Sequence, residues 1–413
     1  MRTKPLDMMA PDLAFELLTE KIRAWTPRTE TLPLEQAAGR IAAKDVVSGE
    51  YVPRFDRSAM DGYAVIAADT AGASASEPVL LRVIGQIEMG KETNLTLAHG
   101  QCASIPTGGM LPAHADGIVI VEDTERGSDQ EVTVYAPAAP GRHIAHRGED
   151  MSLGDTAVPG GSVLTPGKLG ALAALGITEV PVYQPLNLFL ISTGDELVPP
   201  GREIAPGEVR DINSYSVSAQ AAAHGFRITG TALLKDDADL LRRTVAERLP
   251  ENDVICVSGG SSVGEKDVTY DIINEVTDGG VFTHGIRIKP GKPTILGWHE
   301  ETKTIVAGLP GHPASAAIVF NLLFCRMSRV YTGTANPIPI PAALGADARG
   351  DAERDRCQTV ALSAGDGGIL LAEPIPGASG MITTLSGADG YFVIPREAGT
   401  ITKGTTVMVH PLY

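Results

Sequence analysis

From residue 186 to about 333 the chain alternates unbroken apolar runs with amphipathic segments. LNLFLIS at 186–192 is followed by SYSVSAQAAAHG at 214–225, RITGTALL at 227–234 and ADLLRRTVAERL at 238–249. DVICVSGG then leads to VTYDIINEV at 268–276, and TIVAGLPG at 304–311 leads to a segment opened by Pro313. Continuous apolar strands separated by amphipathic helices predict a parallel sheet covered on both faces, in three α/β layers. Upstream, Leu13, Leu17, Leu18 and Ile22 recur at helical spacing behind Pro11, and further helices are expected at 35–43 and 168–176. The two outer helices, 12–25 and 168–176, are expected to pack on each other as a stalk. Between 46 and 149 the runs shorten and alternate, as in VLLRVIGQI and GIVIVED, which predicts an inserted β-rich domain. After about 334 a proline-rich stretch gives way to the short strands TVALS, GILLAE, GYFVIP and TTVMVH, expected to form a small β-barrel or sandwich. The expected domains are therefore 1–45 with 150–184, then 46–149, 185–333 and 334–413.

Composition narrows the class. A chain of 413 residues has room for several domains and large cores. Its formal net charge of −16 argues against a nucleic-acid partner or an anionic membrane surface. Cys102, Cys256, Cys325 and Cys357 show no metal-binding or regular spacing and read as reduced thiols of a cytoplasmic protein. The segment MRTKPLDMMAPDL lacks the apolar stretch of a signal peptide, and ASAAIVFNLLFC at 314–325 is too short to span a bilayer.

The chemistry concentrates in glycine-rich turns after the apolar strands. STGDEL supplies Thr193, Gly194 and Glu196; SGGSSVGEKD supplies Ser258, Gly259, Gly260 and Asp267; KPGKP supplies Lys289 and Lys292. GLPGHPAS supplies Pro310, Gly311 and Ser315, the serine falling in the first turn of a helix. Ligands of open α/β sheets sit beyond the carboxyl ends of the strands, so these turns predict one crevice. Glycines let backbone amides approach a phosphate, and helix N-termini favour anions. Two lysines on a rigid turn suit a tetrahedral oxyanion. Glu196, Asp236 and Asp267 suit Mg²⁺, which prefers a few carboxylates completed by substrate phosphate oxygens; Asp236 and Asp237 serve equally well as helix caps. The segment from Gly259 to Gly264 fails as a P-loop because Glu265 follows the last glycine. Within it, Gly260 to Gly264 also fits the GxSxG elbow of serine hydrolases, but that reading gives no work to STGDEL or KPGKP. In the β-rich insert, RFDRSAMDGYAV holds Asp61, IPTGGMLPAHADGIVIVED holds Thr107, and HRGED holds Arg147 and Asp150, together suggesting a second polar surface.

In this order, FDRSAMDGYAV, IPTGGMLPAHADGIVIVED, RGED, STGDEL, SGGSSVGEKD, KPGKP, GLPGHPAS and ADGYFVIP resemble the MoeA family, the molybdopterin molybdenumtransferases similar to the E domain of gephyrin. The resemblance spans essentially the whole chain. It implies a MogA-like molybdopterin-binding α/β domain, a helical stalk, an inserted β domain, a C-terminal β-barrel and a homodimer. It also implies the reaction: adenylyl-molybdopterin and molybdate react, with Mg²⁺, to give the molybdenum cofactor and AMP. Docking with a molybdopterin adenylyltransferase and hand-off to molybdoenzymes follow from the same likeness. Asp61 and Thr107 would belong to the active site, Arg354 and Ser379 would touch the oxyanion, and a two-fold dimer would share each site between subunits. Four positions depart from the family pattern by losing basic or polar character: Ala145, Gly285, Thr359 and Gly377. They bear on metal preference, and a tungstate-inserting paralogue or a gephyrin-like scaffold are the alternatives.

Overall fold

The computed structural model describes residues 8–259 and 268–412. Gly260 and Asp267, both expected in the site, lie outside the described residues. The chain divides into two compact units, residues 31–160 with 164–181, and the remainder.

Helix α1 (Pro11–Ile22) belongs to the larger unit and buries Ala14, Leu18 and Ile22 in that unit's core. The smaller unit is built on strands β1 (Gly62–Val65), β2 (Val79–Gln86), β3 (Gln101–Ile105), β4 (Gly117–Ile120), β5 (Thr124–Arg126) and β6 (Glu131–Val134), with helix α2 (Pro166–Ala174). The strands form one sheet in the order β4-β1-β3-β2-β6-β5. Both faces are covered. Tyr63, Val65 and Val119 enter one apolar cluster, while Ala64, Ala103 and Ile118 enter another on the opposite face. This two-sided burial is the period-2 consequence of a strand buried throughout, GYAV.

One expectation for the helices needs correction. Residues 35–43 form only a 3₁₀ turn, Leu34–Gln36. The backbone donors needed for a helix go elsewhere: Gly39 N–H to Leu164 O, Ala43 N–H to Pro181 O. Helices α1 and α2 belong to different compact units. The face of α1 is spent on the larger core.

In the larger unit come β7 (Leu186–Thr193), α3 (Asn213–Ala223), β8 (Phe226–Leu234), α4 (Ala238–Arg248), β9 (Val254–Ser258), α5 (Val268–Val276), β10 (Val281–His284), β11 (Ile288–Lys289), β12 (Ile295–His299), β13 (Thr304–Leu309), α6 (Pro313–Phe320) and α7 (Arg326–Thr332). The sheet order is β8-β7-β9-β13-β12-β10. The first four strands are parallel, as the apolar runs predict, but β12 and β10 add antiparallel strands at one edge. Alternate residues divide between two cores. Leu188, Leu190, Val254 and Cys256 pack with α1, α3 and α6; Phe189, Ile191, Ile255 and Val257 pack with α4 and α5. The three layers are those expected.

Five strands complete the unit: β14 (Ile340–Leu344), β15 (Asp355–Ala364), β16 (Leu370–Pro374), β17 (Gly390–Ile394) and β18 (Thr406–Pro411). They run β15-β16-β14-β18-β17 and close through β15–β17 into the expected barrel. Ala342, Leu344, Val360, Phe392 and Val409 fill it. Closure leaves no free edge. Strand β11 pairs in parallel with β15, Ile288 opposite Asp355 and Lys289 opposite Arg356. KPGKP therefore stands where the α/β sheet meets the barrel, a placement that sequence position inside the α/β region did not suggest. No helix among the described residues is long and apolar enough to cross a membrane. The four cysteines are free and buried, and burial pushes their thiols up.

Candidate active site

The parallel strands β7, β9 and β13 end at one edge, and the turns that follow them surround a cleft of about 920 Å³. Thr193, Gly194, Glu196, Asp236, Ser258 and Gly259 line it, as do Lys289, Lys292, Pro310, Gly311, Ser315, Arg354 and Ser379. Every site residue expected in the larger unit and described is thus brought together.

Gly259 ends β9 with φ +108, and a Cβ there would lie 2.1 Å from Thr193 O. Only glycine fits this crossing of two strand ends. At Gly194 a side chain would meet the Glu196 carboxylate, whose oxygens lie 2.8 Å from the Cβ position. The Gly194 N–H itself is donated to Leu234 O, so this glycine gives room rather than an amide donor for a ligand. That corrects the expectation for its backbone.

Neighbouring Asp236 and Asp237 take different tasks. The Asp237 carboxylate accepts from the N–H groups of Asp239 and Leu240 and caps α4. Asp236 is released from capping, and its Oδ1 accepts a hydrogen bond from Thr193 Oγ1 at 2.9 Å. Thr193 is 4% exposed, so it is a fixed support for the acid. Asp236 and Glu196 offer hard oxygen donors to the cleft. Among the described residues no cluster of three or more metal-ligating side chains forms. Two carboxylates that need further oxygens from a bound phosphate are the kind of donor set Mg²⁺ accepts.

The cationic side of the site comes from two places. Lys289 and Lys292 come from KPGKP, and Arg354 from the segment leading into β15. Ser315 lies in the first turn of α6 and is 3% exposed. His312, at the cap position of that helix, is 2.9 Å through Nδ1 from Ser379 Oγ, and Ala314 donates its N–H to Ser379 O. The barrel loop holding Ser379 is thereby fastened to the helix start.

Sequence reasoning missed several members. Asn213 donates through Nδ2 to Ser258 Oγ at 2.7 Å and to Gly311 O at 2.8 Å, tying two glycine turns together, while its buried Oδ1 has no partner among the described residues. Asp211, buried beside the cleft, accepts from Ser192 Oγ at 2.9 Å. The signal was present in RDINSY at 210–215, but it lies where the loop enters α3, away from the apolar strands that drew attention. Asp351 is a further omission: its Oδ2 accepts from Lys289 Nζ at 2.8 Å and Arg354 Nη2 at 3.2 Å.

Asp61, Thr107, Arg147 and Asp150 lie in the smaller unit. Antiparallel pairing puts Gly62 opposite Ile105, so Asp61 meets the turn after β3. Its Oδ1 accepts from Thr107 N at 2.7 Å and Thr107 Oγ1 at 3.1 Å. The RGED turn joins the same surface through its backbone. Arg147 N donates to Asp56 Oδ1 at 2.7 Å, Gly148 N to Pro53 O and Asp150 N to Val52 O. The Arg147 guanidinium stacks 4.3 Å from the Tyr51 ring centroid. The three polar segments of the insert therefore do form one exposed surface. Of the four departures, Gly377 has φ +145 and a Cβ there would lie 2.5 Å from Thr384, so a larger residue does not fit this backbone.

Residues 9–176 match the MoeA N-terminal region (domain I and II), 189–329 the probable molybdopterin binding domain, and 341–412 the MoeA C-terminal region (domain IV). Molybdopterin molybdenumtransferase 2 of Mycobacterium tuberculosis (strain CDC 1551) is 34% identical over 401 residues, covering 96% of this chain and 98% of its own. The molybdopterin molybdenumtransferase of Haemophilus influenzae is 34% identical over 76% of this chain and 75% of its own. Two crystal structures of a molybdopterin biosynthesis MoeA protein from Pyrococcus horikoshii share the fold. One has a TM-score of 0.81 at 35% identity, covering 98% of this chain and 100% of that one; the other has 0.84 at 27%, covering 98% and 99%. The chain belongs to the MoeA family of molybdopterin molybdenumtransferases.

Proposed function

We propose that this protein inserts molybdenum into adenylylated molybdopterin, taking molybdate as its second substrate and releasing AMP. The observation that carries the reading is the convergence in one cleft of Glu196 and Asp236 with Lys289, Lys292, Arg354, Ser315 and Ser379. An adenylylated pterin phosphate and a tetrahedral dianion need that combination. Lys289, Lys292, Arg354, Ser315 and Ser379 hold the oxyanion as point charges and hydroxyl donors. The turns around Ser258, Gly259, Pro310 and Gly311 shape the bed for the pterin and its phosphates, with Asn213 fixing their spacing. Gly260 and Asp267 extend this set by sequence.

Mg²⁺ fits the donors present: Glu196 and Asp236 would hold it, and when bound it supplies charge neutralisation to the pyrophosphate. Thr193 keeps Asp236 turned to that task. Asp61 and Thr107, with Arg147 and Asp150, form the second polar surface. In this reading the protein is a homodimer, and Asp61 of one subunit completes the site around Glu196 of the other. The division into stalk, insert, α/β domain and barrel belongs with it, as do a cytoplasmic setting, receipt of substrate from a molybdopterin adenylyltransferase and hand-off to molybdoenzymes.

Purified protein incubated with adenylyl-molybdopterin, Mg²⁺ and molybdate should release AMP, and omission of molybdate should stop it. Tungstate, a tetrahedral dianion of the same charge, run in parallel decides the metal preference that Ala145, Gly285, Thr359 and Gly377 leave open. A protein that binds the pterin but releases no AMP with either oxyanion would be a scaffold.

A further inference from the structure

The Asp351 carboxylate is 11% exposed and accepts from two cations that come from separate parts of the chain. Lys289 is the last residue of β11, and Arg354 belongs to the segment entering the barrel. The backbone prepares this meeting. β11 and β15 pair in parallel, and Asp355 N donates to Arg287 O at 3.1 Å. Asp351 Oδ2 then receives Lys289 Nζ at 2.8 Å and Arg354 Nη2 at 3.2 Å, while Oδ1 receives Glu353 N at 3.1 Å. The Lys289 ammonium, with Glu353 N–H and Arg354 beside it, holds the Asp351 carboxyl well below the usual carboxylate range.

What the two cations keep is as informative as what they give. An ammonium has three donors and a guanidinium five. Asp351 takes one hydrogen bond from each. Arg354 Nε is buried and has no hydrogen-bond partner among the described residues. A buried donor on a charged group is costly to leave unmet, so this N–H calls for an acceptor that none of the described residues supplies. Lys289, by contrast, is half-exposed at 49% and flexible, and loses its fixed direction without a partner. A second cavity, of about 200 Å³, shows how a polar pocket looks when its groups satisfy each other. There Arg28 donates to both Asp253 oxygens at 3.0 and 2.6 Å, and Trp25 Nε1 to Lys303 O at 2.7 Å.

We infer that Asp351 is a positioning residue that joins Lys289 of the α/β domain and Arg354 of the barrel into one oxyanion clamp. The inference rests on the reading of the cleft as the molybdate site. Asp351 does not touch the oxyanion; it sets the distance and direction of the two cations that do. The same carboxylate makes the anion site depend on how the barrel docks on the α/β sheet.

The test measures the molybdate dependence of AMP release in Asp351→Asn, Asp351→Glu and Asp351→Ala. Asn keeps one acceptor oxygen, which turned towards Lys289 and Arg354 gives up only the bond from Glu353 N–H, and it should stay within about threefold of wild type in half-saturating molybdate. Glu keeps the charge but moves it by a methylene, and Ala removes the acceptor; both should raise half-saturating molybdate about tenfold or more. The maximal rate and the affinity for adenylyl-molybdopterin should hold in all three. The Glu effect should disappear in a Lys289→Ala, Arg354→Ala background. A wild-type-like Glu variant with a severely impaired Asn variant would show a charge role and overturn the inference, as would tighter or unchanged molybdate dependence in Glu and Ala. Calorimetric titration of molybdate into the protein alone separates the two levels. Wild-type protein that takes up no molybdate sinks the site reading, whereas equal uptake by wild type and the Glu variant sinks only the role of Asp351.

Discussion

The cleft of the larger unit and the polar surface of the smaller one are both made from loops at strand ends, yet they are built in opposite ways. In the cleft, parallel strands deliver successive turns to one edge. Those turns are braced by buried polar side chains, Thr193, Ser258, Asn213 and Ser315, each less than a tenth exposed. The reactive groups Glu196, Asp236 and Lys289 project from that frame with hydrogen-bonding capacity to spare. In the smaller unit, antiparallel pairing of β1 and β3 brings exposed loops together, and the acids are already engaged, Asp61 by Thr107 and Asp56 by Arg147 N–H. The first arrangement is a concave frame with donors and acceptors left free. The second is an exposed polar face whose acids already have partners.

If the cleft does the holding and the chemistry, its carboxylate should matter most. Glu196→Gln, isosteric and uncharged, should lower the rate of AMP release about a thousandfold, equivalent to roughly 4 kcal/mol of transition-state stabilisation, without changing the unfolding midpoint. Removing divalent metal with EDTA should do the same and be reversed by added Mg²⁺. A Gln variant that turns over normally would reduce the cleft to a container. The frame itself is tested by Gly259→Ala. A Cβ against Thr193 O at a positive φ should destabilise the protein by about 3 kcal/mol or more, read by denaturant unfolding. An equally stable variant would mean that the crossing of β7 and β9 is looser than described.

Next in size are the lysines. Lys289→Ala or Lys292→Ala should raise half-saturating molybdate about ten- to a hundredfold, since a hydrogen bond to a charged group contributes roughly 1.5–3 kcal/mol. Pterin binding should change little, and unaltered molybdate curves in both would take the oxyanion away from KPGKP. The smallest effect separates two adjacent acids. Asp237→Ala should lose the α4 cap and about 1 kcal/mol of stability while AMP release keeps its Mg²⁺ dependence. Asp236→Ala should keep stability and weaken the Mg²⁺ dependence. Identical behaviour of the two would erase the distinction that Thr193 draws between them.

The contrast also explains what could be read from sequence. Parallel strands buried on both faces appear as unbroken apolar runs, so LNLFLIS and VICVS announced the α/β sheet, and the turns after them announced Glu196 and Gly259. The barrel strands alternate and were equally legible. Residues 35–43 have helical composition, but Gly39 and Ala43 give their N–H groups to Leu164 and Pro181, partners more than a hundred positions away. Antiparallel β12 and β10 look like any buried strand, because direction leaves no local trace. Asp351 was invisible for the same reason: its meaning lies in Lys289, 62 residues away in sequence. Asn213 joins turns 45 and 98 residues distant. Local pattern reports which residues are presented; only long-range pairing reports which of them support the others.

The most direct measurement is complementation between two dead proteins, one carrying Asp61→Ala and the other Glu196→Ala, co-expressed with different tags and isolated as mixed dimers. Each homodimer lacks one of the two surfaces in every site and should release no AMP. If the smaller unit of one subunit serves the cleft of the other, the mixed dimer holds one site with both acids intact. AMP release should then return to about half the wild-type rate per dimer, because one site in two is whole. Mixed dimers that form and stay inactive would contradict the account, and so would an Asp61→Ala homodimer that works at the wild-type rate.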